Sequence, residues 1–156
     1  MTEPILLSQQ LCFEFYRTHK AFNRFYAQAL APFKLTYAQY IVLLVLYEQG
    51  TLSVKELGQN VGLDSGTLTP LLRRLEKDDW IQRQRNALDE RRLDIVLTPR
   101  AQAAKDALFS HVQGCAETLA LPVADYQRMM TDAASLYDRV EQATTALSDQ
   151  EKSVAD

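Results

Sequence analysis

Apolar residues recur at near-helical spacing through the N-terminal stretch, at Leu7, Leu11, Phe15, Phe22 and Tyr26, and predict one long helix from about Pro4 to Ala31, closed by Pro32. Phe13, Tyr16 and Phe25 widen the stripe beyond a single face, so this helix is expected to pack on its own domain and on a partner chain. Thr36 caps a second helix, about Tyr37 to Gln49, ended by Gly50; its run Ile41–Leu46 is apolar on every side, which makes it central. Ser53 caps a short third helix, about Val54 to Asn60, with Glu56 completing a capping box and Gly62 making the turn. A fourth helix, about Asp64 to Asp79, contains Pro70. It either starts at Asp64 and bends, or starts at Pro70 with Thr69 as its cap. The period then changes. Trp80–Arg85 and Leu93–Leu97 alternate around the polar stretch Asn86–Arg92, which predicts a β-hairpin with a charged tip. Thr98-Pro99 opens a fifth helix to about Leu119, Pro122 opens a sixth to about Leu147, and Ser148–Asp156 reads as a frayed polar tail.

This order predicts a mainly α fold with a small β-wing, a winged helix-turn-helix. Residues 1–35 are expected to supply an N-terminal dimerisation helix, 36–100 the winged helix-turn-helix module and 101–156 C-terminal dimerisation helices, in one integrated domain. The net charge of −3 over 156 residues speaks weakly against a nucleic-acid partner until its distribution is considered. Between residues 73 and 100 lie Arg73, Arg74, Lys77, Arg83, Arg85, Arg91, Arg92 and Arg100, 8 of the 17 basic residues. From residue 101 onward 9 acidic residues face 4 basic ones, so the acidic total hides a basic module.

The chemistry-bearing motifs of enzymes do not appear: no Gly-rich phosphate loop, GxSxG, HExxH or paired-carboxylate pattern. No enzyme activity and no cofactor is expected. The 2 cysteines, Cys12 and Cys115, are far apart and form no CxxC or Cys/His cluster, which argues against a metal site. The apolar runs are too short for a signal peptide or a membrane span, so the expectation is a cytoplasmic protein with reduced thiols and no membrane partner.

In a helix-turn-helix the second helix enters the major groove N-terminus first. Here that places Ser65, Thr67 and Thr69 against base edges or phosphates, with Arg73 and Arg74 suited to guanine or phosphate one to two turns later. The wing adds Arg83, Arg85, Arg91 and Arg92. Asp89 and Glu90 at its tip are expected to pair with nearby arginines and hold its shape. The plain alternative is a solvated hairpin beside a surface helix.

The run Leu52–Leu57 with Leu63–Glu76, and the wing Asp89-Glu90-Arg91-Arg92 leading into Leu97-Thr98, resembles the MarR family over about Ile5 to Leu147. Gln10-Leu11-Cys12-Phe13, Tyr26, Leu35–Tyr40 and the Asp64–Pro70 run resemble its organic-hydroperoxide-resistance branch (OhrR). That resemblance implies a homodimeric repressor whose reduced form binds a pseudo-palindromic operator on double-stranded DNA. Organic hydroperoxide then oxidises its cysteine and releases the DNA. Carried over, Cys12 is the sensor, and Tyr26 and Tyr37 of the partner subunit hydrogen-bond its thiolate. Cys115, in the fifth helix, matches the resolving cysteine of the two-cysteine type, which closes an intersubunit disulfide.

Chemically, only the thiolate reacts quickly with a peroxide, and phenol donors favour the charged form. Phe13, Phe15 and Phe22 near Cys12 would suit a greasy oxidant. Taken without the resemblance, Cys12 and Cys115 read as small buried hydrophobes, the two tyrosines as core packing, and His19 as a surface or core histidine. A repressor released by a small aromatic ligand, with structural cysteines, stays open beside the redox reading. So does a small helical interaction module without DNA binding.

Overall fold

Three of the helices begin where a short polar side chain turns back onto the backbone. In the computed structural model, which describes residues 6–86, 89 and 92–155 (the last five by backbone alone), Thr36 Oγ1 accepts the Gln39 amide at 3.3 Å and starts α2, Tyr37–Gln49. Gln39 Oε1 returns the bond to the Thr36 amide at 2.8 Å. Ser53 and Glu56 repeat this box at the head of α3, Val54–Val61. Asp64 Oδ1 takes the Thr67 amide at 2.9 Å and opens α4, Ser65–Lys77.

The last contact resolves the Pro70 alternatives: Asp64 is the cap, and Pro70 lies inside the helix with its ring exposed. A proline there removes only the N–H that would serve Gly66, in the helix's first turn.

The long first helix is shorter than its pattern. Gln10 is extended (φ −91°, ψ 112°) between a 3-10 turn at Leu7–Gln9 and α1, Leu11–Ala29. Pro32 sits in a second such turn, Ala31–Phe33, past the helix end.

The wing pairs β2, Ile81–Arg85, with β3, Leu93–Leu97, antiparallel, Arg83 opposite Ile95. The sequence did not suggest the third strand β1, Leu52–Ser53, which pairs with β3 through Leu52–Ile95 and Ser53–Asp94. Two residues carry no period, and they read only as the approach to α3.

α5 runs Pro99–Glu117, capped by Thr98 Oγ1 accepting the Ala101 amide at 3.1 Å. The core gathers Leu30, Val42, Leu43, Leu46, Leu57, Leu68, Leu72, Leu75, Trp80, Ile81, Ile95 and Leu108. α2 is buried through its middle, as its apolar run requires.

The chain divides into two compact units, residues 1–115 and 116–156. The second is built on α6, Val123–Ala155, which carries on through the stretch expected to fray. No Gly or Pro follows residue 122 to stop it. The polar side chains are absorbed by the helix: Thr144, Thr145 and Ser148 hydroxyls donate to carbonyls one turn back, at 2.8, 3.0 and 3.0 Å.

Candidate DNA-reading face and thiol site

The helix-turn-helix depends on one close approach. A Cβ at Gly58 would lie 2.9 Å from the Leu63 carbonyl oxygen and 3.4 Å from Leu68 Cδ2. The bare α-carbon lets the turn fold over the end of α3. Gly62, in the left-handed region at φ 65°, reverses the chain there.

α4 is then anchored by Leu68, Leu72 and Leu75 in the core and presents its other face outward. Ser65, Thr67, Arg73 and Arg74 are exposed and Thr69 is half-buried. The Thr67 hydroxyl is already engaged, donating to Asp64 Oδ2 at 3.0 Å. The bonds from Thr67, its backbone amide first, hold the Asp64 carboxyl below the usual carboxylate range.

The wing's arginines divide by role. Arg85 is exposed. Arg83 shares the inward face with Ile81, across from buried Ile95, and its Nε lies 3.3 Å from the Glu76 carboxylate of α4. Arg92 turns back into the protein: Nε donates to Asp94 Oδ1 and Nη2 to Glu56 Oε2, both at 2.8 Å. Asn86 Nδ2 donates to the other Asp94 oxygen at 2.6 Å, and the Ser53 hydroxyl donates to Glu56 Oε2 at 2.7 Å. One network thus ties the head of α3 to the base of the wing.

Each of its carboxyls sits below its ordinary value. For Glu56 the bonds from Ser53 do most and Arg92 adds to them; for Asp94 the cause is Arg92 first and Asn86 second. Asp89 shapes the turn through its backbone, its amide donating to Asn86 Oδ1 at 3.1 Å and its carbonyl accepting the Arg92 amide at 2.9 Å. Glu90 and Arg91 lie outside the described residues. Arg100, counted with the basic module, is committed to the Asp78 carbonyl and the Trp80 ring, 4.8 Å from its centroid. Arg92's clamp leaves no local signal in the sequence: Glu56 reads as part of its capping box, and Asp94 stands on β3, two residues after Arg92, which precedes the strand.

Cys12 lies in the first turn of α1, exposed, its Sγ 4.0 Å from Gln10 Oε1. Of the aromatics expected around Cys12, Phe13 and Phe15 lie within about one turn of it on α1, whereas Phe22 does not stand beside it in its own chain. Phe13 stacks on Tyr16 at 6.3 Å, and Phe22 sits beside Tyr26 at 6.4 Å. Along one helix Phe22 is about 15 Å from Cys12 and Tyr26 about 21 Å.

Tyr26 and Tyr37 do meet: their rings stack at 4.1 Å and 14°, with Tyr40 stacked on Tyr26 at 6.0 Å. Burial, then the two neighbouring phenols, push the Tyr40 hydroxyl above its ordinary value. His19 stands exposed beside Asn23, 2.9 Å away, as a surface histidine.

Cys115 is half-buried near the end of α5, its Sγ 3.7 Å from His111 Nε2 one turn earlier. The His111 ring meets Phe33 edge-on at 5.6 Å. Both cysteines are thiols outside any disulfide. No cluster of three or more His, Cys, Asp or Glu side chains fit to hold a metal occurs among the described residues. Among those residues, no helix is long and apolar enough to cross a membrane.

Comparison with known proteins agrees with this architecture. The family model for SarA/Rot transcriptional regulators matches residues 24–108. The HTH-type transcriptional regulator TtmR of Methylorubrum extorquens is 40% identical over 138 residues, 88% of this chain and 71% of its own. The regulator SarZ of Staphylococcus aureus is 48% identical over 106 residues, 68% of this chain and 72% of its own. AbfR of Staphylococcus epidermidis, solved reduced and bound to DNA, superposes with a TM-score of 0.73 at 34% identity, covering 86% of this chain and 94% of AbfR. AbfR has also been solved overoxidised on DNA and in a disulfide form. With its capped helix-turn-helix and antiparallel wing, the chain belongs to the SarA/Rot family of winged-helix, MarR-type transcriptional regulators.

Proposed function

We propose that this regulator is a homodimeric repressor, not an enzyme, that binds double-stranded DNA when reduced and is released by organic hydroperoxides. Ser65, Thr69, Arg73, Arg74, Arg85 and Arg91 contact the operator. Arg83, Asp89 and Arg92 hold the wing in place, and residues 36–100 form the reading module. Residues 1–35 and 101–156 make the dimer.

Oxidation starts at Cys12. Its thiolate attacks the peroxide, the O–O bond breaks, and the products are a Cys12 sulfenic acid and an alcohol. Cys115 of the partner subunit then closes a disulfide, and the strain of bringing the two sulfurs together shifts the reading helices. This is the two-cysteine behaviour of the organic-hydroperoxide-resistance branch.

The observation that carries this reading is the exposed thiol of Cys12 on an α1 face whose Leu11, Phe15 and Phe22 are also exposed. Stacked Tyr26 and Tyr37, about 21 Å away along their own chain, reach such a thiol only from a second protomer. Support comes also from AbfR, whose reduced, overoxidised and disulfide forms have each been solved.

The test is operator-fragment binding before and after cumene hydroperoxide, with wild type, Cys12→Ser and Cys115→Ser. Wild type should release DNA, Cys12→Ser should hold it, and added thiol should restore wild-type binding. If all three proteins keep the operator through oxidation, the redox reading is wrong and a repressor released by a bound ligand replaces it.

A further inference from the structure

We propose that His111 is the proton acceptor for Cys115, making that thiol the reactive partner in disulfide closure; this rests on the redox reading above. His111 and Cys115 are one turn apart on α5, a spacing that puts their side chains on one face. The contact is direct: Nε2 to Sγ, 3.7 Å, within reach for a sulfur hydrogen bond. The imidazole is also fixed from a second element, since Phe33, in the turn after α1, meets it edge-on and is itself packed against the core. An aromatic edge against the ring limits its rotation and keeps one nitrogen on the sulfur, and Phe33 brings no charge that would compete for the proton. Among the described residues, the hydrogen-bonding neighbour of the Cys12 sulfur is the Gln10 amide oxygen, 4.0 Å away, and not an imidazole. The two thiols are therefore equipped for different steps.

The step balances without a further oxidant. Hydroperoxide has already taken two electrons from Cys12 to give the sulfenic acid. Neutral His111 takes the Cys115 proton, and the thiolate attacks the Cys12 sulfur. The S–S bond forms as the S–O bond breaks, and the departing hydroxide takes the proton from His111 and leaves as water. A free thiol is only about 3% ionised at pH 7, so a base on the sulfur raises the reactive fraction by at most about 30-fold.

Cys115 can be read alone in the full-length Cys12→Ser protein, where it is the only thiol. Its second-order alkylation rate with iodoacetamide is followed from about pH 6 to about pH 10, with and without His111→Gln. Gln keeps a polar group of similar reach and removes the base. His111 is exposed, so the fold should be unaffected, which circular dichroism checks. At pH 7 the His111→Gln rate should be about 5-fold to 30-fold lower, and the two curves should meet near pH 10, where any thiol ionises unaided. Equal rates at all pH values overturn the proposal. So does a constant ratio at all pH values, since that reports access and not proton transfer.

Neither result depends on peroxide or DNA, so failure here is distinct from failure of the redox reading. In the wild-type background, His111→Gln should prolong the dimedone-trapped Cys12 sulfenic acid by a similar factor after cumene hydroperoxide, with the final disulfide yield unchanged. An unaltered lifetime counts against His111.

Discussion

The reading module and the long C-terminal helix are opposites in how they dispose of apolar surface. In α3, α4 and the wing, Leu57, Leu68, Leu72, Leu75, Ile81 and Ile95 are buried within one chain, and the charges at the wing base are matched inside it. α6 leaves its apolar residues in solvent: Tyr137 is 64% and Leu147 63% exposed. Those residues are not scattered. Val123, Tyr126, Met130, Ala133, Tyr137, Val140 and Leu147, with the polar Thr144 between the last two, fall three and four residues apart, the spacing of a coiled-coil seam. A monomer rarely carries so long an apolar strip uncovered. The contrast teaches that one chain suffices to build the face that would read DNA, whereas the unit built on α6 keeps its apolar strip exposed. In the proposed homodimer, a second copy placing the same seam against itself about a two-fold axis would cover it.

The seam offers the largest effect. A charge at Val140 or Tyr137, as in Val140→Asp or Tyr137→Lys, should cost about 2 kcal/mol or more per protomer. Two-fold symmetry doubles this, so the dimer dissociation constant should rise roughly a thousandfold. Light scattering should move from twice the chain mass to 17.7 kDa, and operator affinity should fall with it. The circular dichroism of the helix-turn-helix should persist, because its core lies in the other unit. A variant that remains dimeric and binds operator normally would remove the seam from the interface and erase the contrast.

Local chemistry made most of the reading module legible from sequence. Thr36, Ser53 and Asp64 are caps whose partners lie three residues away, and Gly50 and Gly62 end helices where a glycine is favoured. The alternating runs around the wing gave both strands. The features that were missed depend on partners distant in sequence. Arg92 meets Glu56 across 36 positions, and β1 exists only because β3 pairs with it. Arg83 and Arg85 share one face of β2 and look equivalent, but Arg83 pairs opposite buried Ile95 and Arg85 opposite exposed Leu93. At the thiol site, residue types were readable and neighbourhood was not. Tyr26 and Tyr37 stack as a pair, yet neither is near Cys12 along its own chain, and the turn holding Phe33 against His111 left no trace in the periodicity.

Gly58→Ala sharpens the comparison from the self-contained side. Ala is favoured over Gly within a helix by about 1 kcal/mol, so the substitution should stabilise if the position were open. It is not open: the new methyl carbon meets the Leu63 carbonyl at 2.9 Å. That carbonyl is backbone, and Leu63 is held in place by its own amide bonding the Gly58 carbonyl at 3.0 Å. The strain of such overpacking, about 1–3 kcal/mol, should exceed the propensity gain, giving a net loss of about 1 kcal/mol in urea unfolding. Increased stability would mean that the turn yields easily and that the close approach does not define the module.

The smallest effect separates arginines that build the face from arginines that touch DNA. Arg85→Ala removes an exposed charge and should reduce the slope of log affinity against log salt by about 1 for each phosphate that Arg85 neutralises. Arg92→Gln breaks the clamp to Glu56 and Asp94 instead, so affinity should fall while the salt slope holds. Its second signature lies in acid. Glu56 and Asp94 titrate below their ordinary values in the folded protein, so their contribution is fully present above about pH 4 and is lost as pH falls through the lower folded values. Arg92→Gln should remove part of that loss, flattening the acid limb of stability below pH 4. The Asp64 share should remain, since its cause is the bonds from Thr67. If Arg92→Gln lowers the salt slope as Arg85→Ala does and leaves the acid limb unchanged, then Arg92 meets phosphate in the complex and the wing stands without its clamp.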